Sequence, residues 1–377
     1  MMTRNNMMKS VMMLLAIAGS NYSYAQQATV VVSNATAAQR MELVEVSMAD
    51  VKAKLSNATP GKGQAYVVKN TRGQQIGSQI THDGKLLIDA SVRPHSEATF
   101  YISIEKPYPQ KVWATGALYK MRKDDLAWEN DRCAYRVYGP ALQRSGERSF
   151  GTDVWVKNTP DTVVYERYVM DKQGNVDGDK VDEKVKSEER RMKNLSGAAL
   201  EAQKAKIKAL KAESYEIDVT TSFHLDHGNG LDPYRVGATL GLGAPSLMIG
   251  NQQFLPYCYK TYKILDNGPL RFTVELTYNP STIGDMQNVV EHRIISLDKG
   301  SNFNKMTVWY DGLTHPTDFA TGFPIHEEDT ETKTFAKDYV SYADPTDNME
   351  GNQSQVYVGV LFPYGIDNTY YQLFDKK

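Results

Sequence analysis

Short runs of β-branched and aromatic residues recur along the chain, separated by segments rich in glycine, asparagine and aspartate. Such runs have the composition of β-strands, and the residues between them favour tight turns. Between about Thr29 and Lys106 the runs are TVVVSN, MELVEVS, QAYVVKN, KLLIDASV and ATFYISIE. Short strands at this spacing are typical of an antiparallel sandwich. We therefore predict a small N-terminal β-sandwich over residues 26–107.

Longer and more aromatic runs follow the proline-containing segment KPYPQK. They are CAYRVYG, TDVWVKN, TVVYERYV, YKTYKILDN, RFTVELTYN, VVEHRIISLD, NKMTVWYDG and QVYVGVLF. These strands are too numerous for one small sheet, so the pattern predicts a large antiparallel β-supersandwich over residues 108–377. Residues 182–211 depart from the pattern. They are rich in Ala, Glu, Lys and Leu, which predicts a short helical insertion of one or two helices with a solvated charged face.

The N-terminal residues 1–25 have the features of a signal peptide. Arg4 and Lys9 precede the apolar run VMMLLAIAG, and the triplet SYA before Gln26 supplies the small residues of a cleavage site. No cysteine follows the apolar run, which argues against a lipid anchor, and no later run is long enough to cross a bilayer. We therefore expect a soluble periplasmic or secreted protein.

Charge and cysteine content narrow the classes of partner. The chain has 43 Lys and Arg against 45 Asp and Glu, a formal net charge of -2, so no global field attracts nucleic acid or an anionic membrane. An anionic ligand must therefore meet a local cluster of cations. After export, Cys133 and Cys258 would lie in an oxidising compartment, where a disulfide and two buried free thiols are both open.

The segment ENDRCAYRVYG predicts a strand with two arginines on one face. A period of two places Arg132, Arg136 and Tyr138 together, and a guanidinium matches the oxygens of carboxylate or sulfate. This face is either part of a groove for an anionic ligand or a solvent-facing strand. Trp128 precedes the strand, and its flat ring is either a platform for a sugar or part of the core.

The segment SFHLDHGNGLDPYRVG (222–237) places two histidines, two aspartates, a tyrosine and an arginine in one glycine-containing loop. Histidine titrates near neutral pH, so His224 and His227 are candidate general bases. Tyr234 is a candidate acid, and Arg235 is a further cation for a carboxylate.

Two other interpretations of this loop stay open. A metal site could combine the two histidines with Asp226 or Asp232, but no nearby Cys or His supplies a third ligand, so acid and base catalysis is favoured. The second alternative is structural. Histidine and aspartate side chains also bond the backbone of glycine-rich turns.

Four segments resemble a known family: ENDRCAYRVYGPAL, FHLDHGNGLDPYRVGATLGLGA, YKILDNGPLRFTVELTY and LDKGSNFNKMTVWYDG. From about Trp113 to Phe362 the chain resembles the Bacteroidetes proteins of domain of unknown function 4861. This family occurs in polysaccharide-utilisation loci, and a member is associated with ulvan breakdown as an oligosaccharide dehydratase. The resemblance implies a carbohydrate-active enzyme with a supersandwich akin to galactose mutarotase and many polysaccharide lyases.

Elimination on uronate-containing oligosaccharides is therefore the predicted function. Removing the proton beside a uronate carboxylate needs a neutral base, an acid for the leaving group and a cation against the enolate. The catalytic candidates are His224 or His227 as base, Tyr234 as acid and Arg132 as clamp. The candidates for substrate binding are Arg136, Arg235, Tyr138, Trp128, Asp226, Asp232, His315 and His326. The expected partner is an anionic oligosaccharide, without a cofactor, nucleic acid or membrane.

Three alternative functions stay open. A lyase differs from a dehydratase only in whether a sugar or water departs. A glycoside hydrolase would use two carboxylates across the bond, and its candidates are Glu129, Asp131, Asp226 and Asp232. A non-catalytic glycan-binding protein would use the same groove, with arginines and tryptophans supplying the affinity.

Overall fold

The structure is a computed structural model that describes residues 26–326, 333–346 and 355–371. The chain is mainly β, as predicted, with several antiparallel sheets and few helices. It divides into two compact units. Unit 1 combines the chain up to Thr115 with Ile264–Val274 and Ser296–Lys305, and unit 2 comprises Gly116–Lys263, Glu275–Ile295 and Met306–Lys377. The predicted signal peptide lies outside the described residues.

Unit 1 contains the predicted small sandwich. Its elements are β1 (Ala28–Asn34), β2 (Arg40–Ser47), α1 (Met48–Lys54), β3 (Ala65–Asn70), β4 (Ser78–Ile80), β5 (Lys85–Val92) and β6 (Ser96–Glu105). The strands form two antiparallel sheets with the orders β1-β6-β3 and β2-β5-β4. Val30 pairs with Phe100 in the first sheet and Val46 pairs with Leu86 in the second, and all four side chains enter one core. The period of two therefore gives each sheet one apolar face, and the two faces share the core.

The strands that follow in the chain form four more sheets among the described residues. Their bounds are β7 (Thr115–Tyr119), β8 (Asp125–Glu129), β9 (Cys133–Val137), β10 (Asp153–Val156), β11 (Pro245–Ile249), β12 (Gln252–Phe254), β13 (Tyr259–Asn267), β14 (Arg271–Tyr278), β15 (Ser281–Ile283), β16 (Met286–Asp298), β17 (Asn304–Asp311), β18 (Asp318–Thr321), β19 (Lys333–Phe335), β20 (Tyr339–Asp344) and β21 (Val356–Leu361). The sheet orders are β10-β9-β8-β7, β12-β11-β18, β13-β14-β16-β15 with β17 on β16, and β19-β20-β21.

Helices occur mainly as one long pair. The chain has a 3-10 helix at Lys120–Arg122, a short helix α2 (Pro140–Arg144), and two long helices, α3 (Val164–Met192) and α4 (Gly197–Thr221). The predicted insertion at residues 182–211 falls within the long pair, which extends beyond it at both ends. The break between α3 and α4 includes the predicted interruption at Leu195 and Ser196.

The prediction of a strand at TVVYERYV is wrong, because this segment enters α3. The carboxylate of Glu129 accepts the backbone N–H groups of Val163 and Val164 at 2.9 to 3.1 Å and so caps the start of the helix. Val164 and Tyr168, one turn apart, then enter a buried cluster with Trp155. Tertiary contacts thus override the β propensity of these branched and aromatic residues.

Two glycines within α3 provide a matched test of helix packing. A Cβ at Gly174 would lie 1.9 Å from Thr221 Oγ1 and 2.6 Å from Thr221 Cβ, whereas nothing lies within 4 Å of a Cβ at Gly178. We expect Gly174→Ala to lower the free energy of unfolding by about 1 to 3 kcal/mol through overpacking. Gly178→Ala should raise it by about 0.5 to 1 kcal/mol, because alanine loses less backbone entropy. Urea denaturation measures both, and equal effects would contradict the packing of Gly174 on Thr221.

Candidate active site

The loop that follows α4 is held in place by hydrogen bonds to its backbone. Arg167 of α3 directs Nη2 at the carbonyl oxygens of Ser222, Leu225 and Gly230. The carboxylate of Asp226 accepts the N–H groups of Gly228 and Gly230 at 2.8 and 2.9 Å. A Cβ at Gly230, where φ is +99°, would lie 2.1 Å from the carbonyl oxygen of Val156, so this position requires glycine. Asp226 therefore shapes the turn, as the structural interpretation of the loop predicts.

The two loop histidines have different surroundings. His227 is exposed, and its Nε2 lies 2.9 Å from the carbonyl oxygen of Ser222. His224 has Nδ1 at 2.9 Å from the carbonyl oxygen of Asp232 and at 3.7 Å from its carboxylate. The side chain of His224 is 46% exposed, whereas that of Asp232 is fully buried. Of the two loop histidines, only His224 therefore combines a neighbouring carboxyl group with access to solvent.

A buried ion cluster lies beneath this loop, centred on Arg136 of β9. Its Nε and Nη2 lie 2.7 and 2.6 Å from one carboxylate oxygen of Asp153, and Nη2 is also 2.7 Å from Asp232. The third acid, Asp125, lies 3.4 Å from Nη1. The hydroxyl of Tyr138 donates to Asp153 and that of Tyr168 donates to Asp125, each at 3.0 Å. Arg136 thus pairs with three internal carboxyl groups, which favours an internal counter-ion over a clamp for substrate.

One guanidinium cannot balance three carboxylates in a low dielectric. Burial raises the pKa of Asp232 well above its usual value, the charge of Asp153 raises it further, and Arg136 opposes the shift. Burial likewise raises the pKa of Asp125 against the effect of Arg136. The cluster therefore favours retention of a proton on these carboxyl groups.

The raised pKa of Asp125 predicts a pH dependence of stability. Because the folded-state pKa lies above the unfolded value of about 3.9, folding favours the protonated form. The associated stability is complete below about pH 4 and is lost as pH rises through the folded-state pKa. Asp125→Asn has no group that ionises at this position, so its urea midpoint should fall less than that of the wild type between pH 4 and pH 8. If the urea midpoint of the variant falls as much as that of the wild type over this pH range, the prediction is wrong.

Asp177→Asn is the control for this pH experiment. The side chain of Asp177 on α3 is 42% exposed, and its hydrogen bond from Lys180 lowers its pKa, which is the opposite direction. We expect this variant to keep the decline in midpoint of the wild type between the two pH values.

A second histidine and aspartate pair lies beside Tyr234. His326 follows β18, and its Nδ1 is 2.6 Å from the carboxylate of Asp344 at the end of β20. The rings of Tyr234 and His326 meet edge to face, with centroids 5.8 Å apart. The side chain of His326 is 12% exposed, and Asp344 is fully buried. The geometry therefore joins a phenol, an imidazole and a carboxylate that are distant in sequence.

The hydroxyl of Tyr234 is the unusual feature of this group. It is buried and has no hydrogen-bond partner within the described part of the chain. Burial raises the pKa of Tyr234 well above the usual tyrosine value, and the negative charges of Asp344 and Asp153 add to the shift. An unpaired buried hydroxyl costs free energy, so it is a position where a ligand is expected to supply the partner.

The other candidates are not brought to this group. Arg132 is exposed in the turn before β9, where Asn130 Oδ1 accepts its backbone N–H at 2.9 Å. Arg235 is exposed, while Tyr234 beside it is buried. Trp128 is fully buried and stacks on Tyr135, so it fills the core. His315 is exposed in the loop between β17 and β18, with Nε2 4.0 Å from Asp285.

The acids that complete both clusters were not among the predicted site residues. Asp125, Asp153 and Asp344 lie at the ends of strands, and none belongs to a motif. One sequence signal could have pointed to Asp153. The period of two in β10 places Asp153 and Trp155 on one face of the strand and Val154 on the other. The pairing of β9 with β10 then sets Asp153 opposite Arg136.

Within residues 26–326, 333–346 and 355–371, no group of three or more His, Cys, Asp or Glu side chains has an arrangement that could hold a metal ion. Cys133 and Cys258 are both buried and form no disulfide, so the interpretation without a disulfide is correct. In the same part of the chain, no helix has both the length and the apolar character needed to cross a bilayer.

Comparison with known proteins identifies the family. A family model described as domain of unknown function (DUF4861) matches residues 32–375, nearly the whole chain. The chain belongs to the DUF4861 family. Uncharacterized protein P7 of Formosa agariphila is 22% identical to this DUF4861 protein over 294 residues, which cover 74% of the chain and 60% of that relative. The chain thus spans less than two thirds of the length of the curated relative it matches. No solved structure matches.

Proposed function

We propose that this protein is an exported carbohydrate-active enzyme that eliminates water from uronate-containing oligosaccharides. The observation that carries the proposal is the edge-to-face contact of the Tyr234 ring with His326, which is paired to a buried carboxylate. The Tyr234 hydroxyl group has no hydrogen-bond partner among the described residues. Elimination beside a carboxylate needs one group that accepts a proton and another that donates one. The family resemblance supplies the substrate class, since related proteins occur in polysaccharide-utilisation loci.

His326 is the proposed base. Asp344 accepts the Nδ1 proton at 2.6 Å, so the neutral ring carries its lone pair on Nε2. A carboxylate in this position also stabilises the imidazolium that forms when the base takes a proton. His326 replaces His224 and His227 in this role, because it is the histidine that contacts Tyr234.

Tyr234 is the proposed acid. Its raised pKa keeps the hydroxyl protonated at neutral pH, as an acid requires. In the reaction, His326 takes the proton from the carbon next to the carboxylate and the carbon–oxygen bond to the leaving group breaks. A carbon–carbon double bond forms, and the Tyr234 proton converts the departing hydroxyl into water. The proton on His326 then restores Tyr234.

Three of the four carboxylates suggested for hydrolysis are engaged elsewhere, which favours elimination. Glu129 caps α3 and also binds Lys157 at 2.7 Å. Asp226 accepts two backbone N–H groups of its own loop. Asp232 lies on Arg136 and is fully buried. None of these three spans an open site with a second carboxylate in the way that hydrolysis requires.

A direct assay tests the proposal. The purified protein is incubated with saturated and unsaturated uronate oligosaccharides, and mass and ultraviolet absorbance are recorded. Loss of water is the expected result. Chain cleavage with a new conjugated chromophore would indicate a lyase that uses the same residues. Gain of water would contradict elimination, and an unchanged substrate panel would favour glycan binding.

Export is a separate prediction, based on the charged start, the apolar run and the SYA triplet. The mature chain should begin near Gln26. Mass spectrometry of protein recovered from the periplasm or medium checks this, and an intact Met1 or a lipidated N-terminus would contradict it.

A further inference from the structure

Two basic side chains flank the ring of Phe223, whose centre also lies 5.4 Å from the guanidinium carbon of Arg136. Arg122 ends the 3-10 helix, and its guanidinium carbon lies 5.5 Å from the centre of the Phe223 ring. The ring of His224 lies 4.4 Å from the same ring, centre to centre. Phe223 itself is fully buried, while Arg122 is half-buried and His224 is accessible to solvent. Arg122 and His224 therefore both contact the Phe223 ring.

The acids near Arg122 bond to other groups. Arg122 acts electrostatically on Asp125, Asp171 and Asp232, lowering their pKa against larger effects of burial. The Asp171 carboxylate, however, accepts a hydrogen bond from Asn175 at 3.0 Å. Asp125 accepts the Tyr168 hydroxyl group, and Asp232 pairs with Arg136.

Arg122 is consequently an accessible guanidinium with unused donors. Within the described residues its side chain makes no hydrogen bond or ion pair, and its guanidinium group packs on the Phe223 ring. The other arginine beside this ring, Arg136, binds the carboxylates of Asp153 and Asp232. A guanidinium that packs on an aromatic ring is oriented and partly desolvated, which strengthens its bonds to an anion.

We propose that Arg122, Phe223 and His224 form a binding site for an oxyanion group, either the carboxylate or the sulfate of an acidic glycan. The Arg122 fork supplies two parallel donors to two oxygens of the anion. The half-exposed imidazole of His224 supplies a third donor when it is protonated. The site does not depend on elimination at Tyr234.

Titration with small anions tests the proposal without turnover. The full-length mature protein is titrated with sodium sulfate and, separately, sodium glucuronate at constant ionic strength, and heat or amide chemical shifts are followed. We expect saturable binding of at least one of them. Arg122→Gln should weaken it about tenfold or more, the effect of a lost charge-assisted pair. Saturation by sulfate alone would identify a sulfate site, and saturation by glucuronate alone would identify a carboxylate site.

Matched variants separate this site from general charge effects and from misfolding. Arg144→Gln removes the same charge from an exposed side chain on α2 and should bind as the wild type does. Arg122→Lys keeps the charge but loses the fork, so its affinity should fall between those of the wild type and Arg122→Gln. If neither anion saturates, or if Arg122→Gln and Arg122→Lys both bind as the wild type does, the proposal is wrong.

Discussion

Replacing Arg136 by methionine is expected to lower the free energy of unfolding by about 3 to 5 kcal/mol, because three buried carboxyl groups lose their common cation. Asp125, Asp153 and Asp232 are each fully buried and lie within 3.4 Å of this guanidinium. Methionine fills much of the same volume, so the loss reports charge more than packing. Urea denaturation at neutral pH provides the measurement.

Two further variants make this expectation specific. Arg144→Met removes an exposed arginine, 3.6 Å from Asp124, and should change stability by less than about 0.5 kcal/mol. Adding Asp153→Asn to Arg136→Met should cost less than the sum of the two single variants, because it removes one of the unpaired charges. If Arg136→Met stays within about 1 kcal/mol of the wild type, the cluster is not the buried ion network described above.

The second large effect concerns turnover. Tyr234→Phe and His326→Gln should each reduce the rate of elimination by about 10² to 10⁴-fold, the usual contribution of a positioned acid or base. Tyr234→Phe should leave stability unchanged or raise it, because the hydroxyl that it removes has no partner among the described residues. Steady-state kinetics together with urea denaturation distinguish loss of chemistry from loss of fold.

Tyr138→Phe is the matched control for Tyr234→Phe. Tyr138 is also a buried tyrosine near Asp153, but its hydroxyl donates to that carboxylate at 3.0 Å. Its removal should cost about 1.5 to 3 kcal/mol of stability, as expected for a bond to a charged group, with a smaller effect on turnover. Equal rates in Tyr234→Phe and the wild type would remove Tyr234 from the mechanism.

Local pattern predicted five of the six strands of the small sandwich and missed the short strand β4. The side chains of Val30, Val46, Leu86 and Phe100 all enter the core of this sandwich. The same reasoning fails at TVVYERYV, where the cap from Glu129 and the packing of Tyr168 stabilise a helix. Neither contact is local in sequence, so no window of residues contains the signal.

Some residues of the candidate site could be predicted from the sequence, but the contacts between them could not. Tyr234 and His326 were both among the candidates, but their contact depends on the fold and has no counterpart in spacing. The period of two grouped Arg132 with Arg136, yet β9 begins at Cys133, so only Arg136 is held by the strand. Asp226 and His227 have ionisable side chains that could act in catalysis. In glycine-rich turns such side chains also form hydrogen bonds with the backbone, and sequence alone does not distinguish the two roles.

Deuterium incorporation tests the division of roles between His326 and Tyr234 most directly. Each variant is incubated in D₂O with an oligosaccharide that the wild type dehydrates, and the mass of the recovered substrate is measured. Tyr234→Phe keeps the base but lacks the acid, so its substrate should gain one deuteron on the carbon next to the carboxylate without losing water. His326→Gln should incorporate none. Deuterium uptake by His326→Gln at the rate seen with Tyr234→Phe would show that another group removes the proton and would contradict the proposed mechanism.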